Sequence, residues 1–180
     1  MEWLDVDPAD RSPVRLASGQ NLVPVAVFPD GSVVADSTAI LEELERRHPN
    51  PPLYPPDEPR RTELQLFVDW FNRVWKRPPN DLDAELARDE PDAARVKALQ
   101  TELAGSRTHF EALLAGRDYL FGEKLSAADC VAFPFLKYGL IFDPADDEPF
   151  HRILVEHLAF EGSYPRLEAW IRRVDEARRA

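Results

Sequence analysis

Two short runs in this chain carry groups that can hold a ligand: Leu22-Val23-Pro24-Val25 and, eleven residues past that last valine, Asp36-Ser37-Thr38-Ala39-Ile40. Proline lacks the N–H that a central strand needs, so it belongs at a strand's first residue, at an edge or at a bulge. Val23 is then the last free backbone group before a strand. With a cis Val23-Pro24 bond, its N–H and C=O turn outward, where an extended peptide can pair with them. Asp36 and Ser37 open a helical pattern with Ile40, Leu41 and Leu44 on one face. Their side chains and the unbonded N–H groups of the first turn point out of a helix N-terminus, which attracts a carboxylate. On spacing alone, ordinary helix capping is the stronger reading of Asp36 and Ser37. Ile40, however, stands where a reciprocal cap would need Glu or Gln, so some N–H groups stay available.

The elements that position these groups are legible around them. Val25-Ala26-Val27-Phe28, a turn at Pro29-Asp30-Gly31-Ser32 and Val33-Val34-Ala35 spell a β-hairpin. Beyond Pro59 no strand-like alternation occurs, and apolar residues recur at helical spacing. Leu64, Phe67, Val68, Phe71 and Trp75 form one stripe, on a helix ending near Pro78-Pro79. Val96, Leu99, Leu103, Phe110, Leu113 and Leu114 form a second, closed by Gly116, with Gly105 inside it marking a bend or a close contact. Ser126 and Asp129 make a capping box, flanked by Leu125 and Cys130 as a hydrophobic staple. Pro134 falls within that helix and Pro165 starts the last one.

Composition sets limits on function. The chain has 180 residues, 44% of them apolar, with 33 acidic and 22 basic side chains and a net charge of -11. That size supports a real core, and the acidic balance argues against nucleic acid as a partner. The longest apolar run, Cys130 to Leu136, is far short of the roughly 20 residues of a membrane span, so neither a membrane nor a signal segment is expected and the cytoplasm is the default. Six of the seventeen prolines lie between His48 and Pro59. They mark a linker at 49–59 between an N-terminal domain at 1–48 and an all-helical domain at 60–180.

Rival chemistries find little support. Cys130 has an apolar flank and reads as core rather than nucleophile. His48, His109, His151 and His157 lack metal-ligand spacing, so no metal is expected, and they read as surface residues. The acidic loop Asp143 to Glu148 lacks the glycine and terminal glutamate of a calcium loop and reads as a solvated charge run. Nucleotide-binding glycine motifs and a serine-hydrolase motif are absent from the sequence.

The Val-Pro-Val strand, the Asp-Gly turn and the Asp-Ser-x-x-Ile helix start resemble the second half of the glutathione transferase N-terminal domain. The proline-rich stretch, Leu125-Ser126-Ala127-Ala128-Asp129 and Tyr164-Pro165-Arg166-Leu167-Glu168-Ala169-Trp170 follow in the family's order. The fold so implied is α/β plus all-α: an incomplete thioredoxin-like domain, then a helical bundle. Glu2 to Val6 is similar to the family's second strand, and the family's first strand and helix, with their catalytic Ser, Tyr or Cys, have no counterpart here. That points to a start assigned too late or to a truncated gene, and to weak or absent conjugation by residues 1–180, with no catalytic residue to name.

The resemblance implies glutathione as co-substrate, its cysteinyl backbone paired with Val23 beside Pro24 and its γ-glutamyl end held by Asp36 and Ser37. It further implies a small hydrophobic electrophile bound by the helical domain, with Phe71 or Trp75 lining the pocket, and a homodimer. Other classes stay open: a non-catalytic adaptor on the same scaffold, or a helical protein-interaction module. The run Pro49 to Pro55 resembles the linker of a bacterial starvation-response member that acts on RNA polymerase.

Overall fold

Val25–Val27 (β1) and Val33–Ala35 (β2) form an antiparallel hairpin in the computed structural model, which describes residues 2–7 and 10–179. Val25 pairs with Ala35, Ala26 with Val34 and Val27 with Val33. The turn closes because Gly31 takes a φ of 81°, a left-handed conformation that is free of side-chain conflict only for glycine. The Asp30 carboxylate accepts the Ser32 N–H at 3.0 Å, and Phe28 N–H donates to the Ser32 carbonyl at 2.9 Å.

Helix α1 (Ser12–Ser18), which the sequence reading did not identify, starts with proline in its first turn and packs on both strands. Helix α2 (Ser37–Arg47) also packs on the hairpin. Arg47, the last residue of α2, reaches back to the hairpin turn: it donates to Asp30 at 2.9 Å and to Ser32 Oγ at 2.8 Å. Its guanidinium lies 4.0 Å over the Phe28 ring. Helix α2 begins at the open end of the hairpin, where β2 ends at Ala35, and runs back so that its C-terminal end meets the turn.

The strand expected at Glu2 to Val6 is not formed. Residues 2–7 have no regular structure, and Trp3 and Leu4 are 79% and 81% exposed. A strand exists only by pairing, and the one sheet among the described residues is β1 with β2. Val14 is the single fully buried apolar residue of this unit among those described.

The chain divides into two units at Leu53 and Tyr54, within the proline-rich stretch. Unit 2 comprises α3 (Glu58–Trp70), a π-helical turn at Phe71–Trp75, α4 (Arg77–Leu86), α5 (Ala93–Leu113), α6 (Ala127–Leu136), a 3-10 turn at Lys137–Gly139, α7 (Pro149–Leu158) and α8 (Pro165–Arg179). Helix α3 packs on α6, α4 on α5 and α7, and α8 on α5 and α6. Pro78 and Pro79 begin α4 rather than end the preceding helix, since their missing N–H groups are unpaired in any first turn. Gly105 does not mark a close contact: it lies inside α5, and a Cβ there would meet no atom within 4 Å.

Asp129 organises the heart of this unit. Its side chain is fully buried and accepts the Ser126 N–H at 2.8 Å, the Ser126 hydroxyl at 2.7 Å, the Leu120 N–H at 2.9 Å and the Trp170 Nε1–H at 2.8 Å. One carboxylate thus caps α6, ties down the loop before it and anchors α8, satisfying four donors that burial would otherwise leave costly.

Candidate functional site

The Val25–Ala35 pair ends the hairpin, so Pro24 and Asp36 each stand one residue beyond it at the same end. The Val23-Pro24 bond is cis, Val23 is 51% exposed, and its backbone N–H and C=O make no hydrogen bond among the described residues. Asp36 is the N-cap of α2, with φ 82° and ψ 130°, a backbone conformation that non-glycine residues adopt only under strain. Its Oδ1 accepts the N–H groups of Thr38 at 2.9 Å and Ala39 at 3.2 Å, and its carbonyl accepts the Ile40 N–H at 2.9 Å. The first turn is therefore largely satisfied from within, more fully than the sequence pattern implied. The N–H and hydroxyl of Ser37 remain without a hydrogen bond among the described residues.

An extended backbone edge and a helix N-terminus offering a neutral N–H and an O–H thus share one end of unit 1. The arrangement suits a short peptide whose backbone pairs at Val23 and whose carboxylate meets Ser37.

In unit 2, Phe71 and Trp75 are packed inside, at 0% and 4% exposure. Their rings stack at 4.4 Å with 14° between planes, and the edges of Phe110 and Phe135 close around them. The spacing 71 to 75 places both rings on one face, and the π-helical turn keeps them in register with the core while Trp70 and Val74 face outward at 36% and 43% exposure. The buried Trp75 Nε1–H has no hydrogen-bond partner among the described residues.

Sequence reasoning missed a second polar cluster. His151, read as a surface residue, places Nδ1 2.7 Å from Asp146 Oδ2 and stacks on Tyr138 at 4.7 Å. Asp146 is half-exposed and paired with this ring, while Asp143, Asp147 and Glu148 stay exposed. Burial alone would raise the Asp146 pKa, but the Glu148 N–H, the His151 ring and the Arg152 charge hold it below the usual carboxylate value. The signal was the five-residue step from Asp146 to His151 across a proline-started helix, which carries no motif. His48 and His109 are exposed, while His157 is largely covered. Among the described residues no group of three or more His, Cys, Asp or Glu side chains converges as a metal site, and no helix is long and apolar enough to cross a membrane.

Residues 1–52 match the family model for the glutathione S-transferase N-terminal domain, and residues 82–176 the model for its C-terminal domain. The chain is 27% identical over 180 residues to FtsZ-localized protein A of Caulobacter vibrioides, covering 81% of this chain and 77% of that protein. It is 29% identical over 119 residues to a probable cytosolic glutathione S-transferase, DHAR1, of rice, covering 66% of this chain and about half (49%) of that relative. Its fold is similar to that of a glutathione S-transferase of Methylobacillus flagellatus KT solved with glutathione bound, with a TM-score of 0.72 and 22% identity over 94% of this chain and 79% of that one. The small thioredoxin-like sheet, the helical second unit and the two family matches agree, and the chain belongs to the glutathione S-transferase family.

Proposed function

We propose that this chain binds glutathione through unit 1. The cysteinyl backbone pairs with Val23 beside Pro24, and the γ-glutamyl carboxylate is received by the Ser37 N–H and hydroxyl, with Asp36 shaping the helix mouth. The observation that carries this reading is the register: with Val25 opposite Ala35, the free backbone of Val23 and the free donors of Ser37 lie at one end of the hairpin. The family membership and the strained Asp36 support it, since strained residues concentrate at ligand-holding positions. A small hydrophobic electrophile is the proposed second substrate, held by unit 2, with Phe71 and Trp75 packed inside the core beneath the surface that would receive it. Homodimerisation and a cytoplasmic setting complete the reading.

Conjugation requires lowering the thiol pKa from about 8.5 toward neutrality. Residues 1–53 contain no tyrosine or cysteine to do so, and Ser12, Ser18 and Ser32 are engaged with Asp10, the Val14 carbonyl and Asp30. Turnover of 1-chloro-2,4-dinitrobenzene by residues 1–180 is therefore weak or absent. Calorimetry of the whole chain with reduced glutathione tests the binding. Saturable heat is expected, weakened on the order of tenfold by Ser37→Ala and abolished by Val23→Pro; no heat at millimolar glutathione overturns the reading.

A second reading is favoured by the likeness to FtsZ-localized protein A over 81% of this chain: a transferase-like adaptor that associates with FtsZ. Co-sedimentation with FtsZ polymers, unaffected by Ser37→Ala, would separate it from the first.

A further inference from the structure

Leu66, Trp70 and Val74 form an exposed apolar stripe, four residues apart, along α3 and the π-helical turn, with Leu66 64% exposed. Charges accompany it: Glu63 and Asp69 before Trp70, Arg73 and Arg77 after it, all four exposed. None of the four forms an ion pair or a side-chain hydrogen bond among the described residues. Asp69 and Arg73 stand at the spacing at which a helix pairs opposite charges with itself, yet they do not pair. Because α3 starts at Glu58, Glu63 lies beyond the first turn, where the attraction of the helix dipole for an acid has fallen away. The stability of the helix therefore does not account for the order of these charges.

That order is self-complementary about Trp70. Leu66 and Val74 lie four residues to either side of it, and Glu63 and Arg77 seven residues to either side, so apolar answers apolar and acid answers base at equal distances. Laid against a copy of itself running the other way, the face sets Trp70 against the partner's Trp70, Leu66 against the partner's Val74 and Glu63 against the partner's Arg77. Two-fold symmetry makes each unlike contact occur twice.

We propose that this face is the contact between two copies of the chain, α3 against α3 in antiparallel, with Trp70 on the two-fold axis and Glu63–Arg77 pairs at both ends; it rests on the homodimer reading and specifies the surface and register. Charge decides the occupant. The chain carries a net charge of -11, so its surface as a whole repels a second copy, whereas this face offers two acids and two bases and is neutral. A nucleic acid or an anionic membrane calls for the bases without the acids. A partner protein of uniform charge would meet its own sign on one half of the face. Glu63 to Arg77 spans only about 20 Å of helix, so one helix pair buries less than the roughly 800 Å² per partner of a standard interface, and a Kd on the order of 10 μM is expected.

The test is sedimentation equilibrium of the whole chain from about 1 to 200 μM, with Glu63→Arg, Arg77→Glu and Leu66→Gln beside the parent. Each charge reversal sets like charges opposite one another twice, so each should weaken the dimer roughly tenfold or more, as should Leu66→Gln. Mixed in equal amounts, Glu63→Arg and Arg77→Glu should associate with each other at close to the parental affinity, since each supplies the sign the other has lost. All three positions are exposed, so unchanged melting is expected and separates lost association from lost fold. A dimer of parental affinity in both charge variants puts the contact on another surface and overturns the proposal while the homodimer reading stands. Failure of the mixed variants to associate overturns the antiparallel register and the proposal with it. A parent that stays monomeric throughout overturns both readings and leaves the face to a different protein.

Discussion

Pro24 and Asp36 stand at the same end of the hairpin, each one residue past the Val25–Ala35 pair, and the register of that pair sets the relationship. Helix α2 starts there because it follows β2 directly, while Arg47 at its far end grips the turn at Asp30 and Ser32. The proposed glutathione seat therefore depends on strand register, and the Arg47 contacts hold the helix along the hairpin.

Asp36 provides a cap at the expense of backbone strain. Asp36→Ala removes the acceptor for Thr38 and Ala39 and keeps the φ of 82°, so a loss of about 1 kcal/mol is expected in urea denaturation. Asp36→Gly relaxes the backbone and loses only a few tenths of a kcal/mol of capping, so it should be at least as stable as the parent. The reverse order would show that the strain is not real.

The clamp at Arg47 gives unit 1 an acid limit. Hydrogen bonds from the Ser32 hydroxyl and N–H, then Arg47, lower Asp30 to about 2, and hydrogen bonds from Arg46 and Arg47 lower Glu43 to about 2. Both pKa values are depressed on folding, so their contribution is present above the ordinary carboxylate pKa of about 4 and is lost as pH falls through about 2. Amide exchange at Val25 and Val33 should therefore quicken, relative to the intrinsic rate, between those limits. In Arg47→Ala it should already be fast at neutral pH.

Asp129 is the position where one substitution does the most damage. Asp129→Ala orphans the Leu120 N–H, the Ser126 N–H and the Trp170 indole N–H together. A loss of about 3 kcal/mol or more follows from that many buried unpaired donors, read as a lower urea midpoint of unit 2. Trp170→Phe, which removes one donor along with its bond, should cost clearly less.

Cys130 should be inert. Burial first, then the charge of Asp129, push its thiol up to about 11. Iodoacetamide at pH 8 should react on the order of 100-fold more slowly than with free cysteine. Because the folded state resists the thiolate, this group's share of stability is full at neutral pH and is lost as pH climbs from about 9 toward about 11. Rapid labelling of native protein at pH 8 would contradict this.

The hairpin, the Asp36 helix start and the Ser126–Asp129 box were legible in the amino-acid sequence, because each is written in residues close together along the chain. The sequence also carried the family through the order of those motifs. What it could not determine was which side chains meet across long separations. Trp170 reaching Asp129, Tyr138 stacking on His151 and Phe71 stacking inside a ring of Phe110 and Phe135 are products of helices packing in three dimensions. The Glu2 to Val6 segment shows the same limit from the other side. Its composition suits a strand, but a strand is a property of a pair, and only tertiary structure decides whether a partner edge is there.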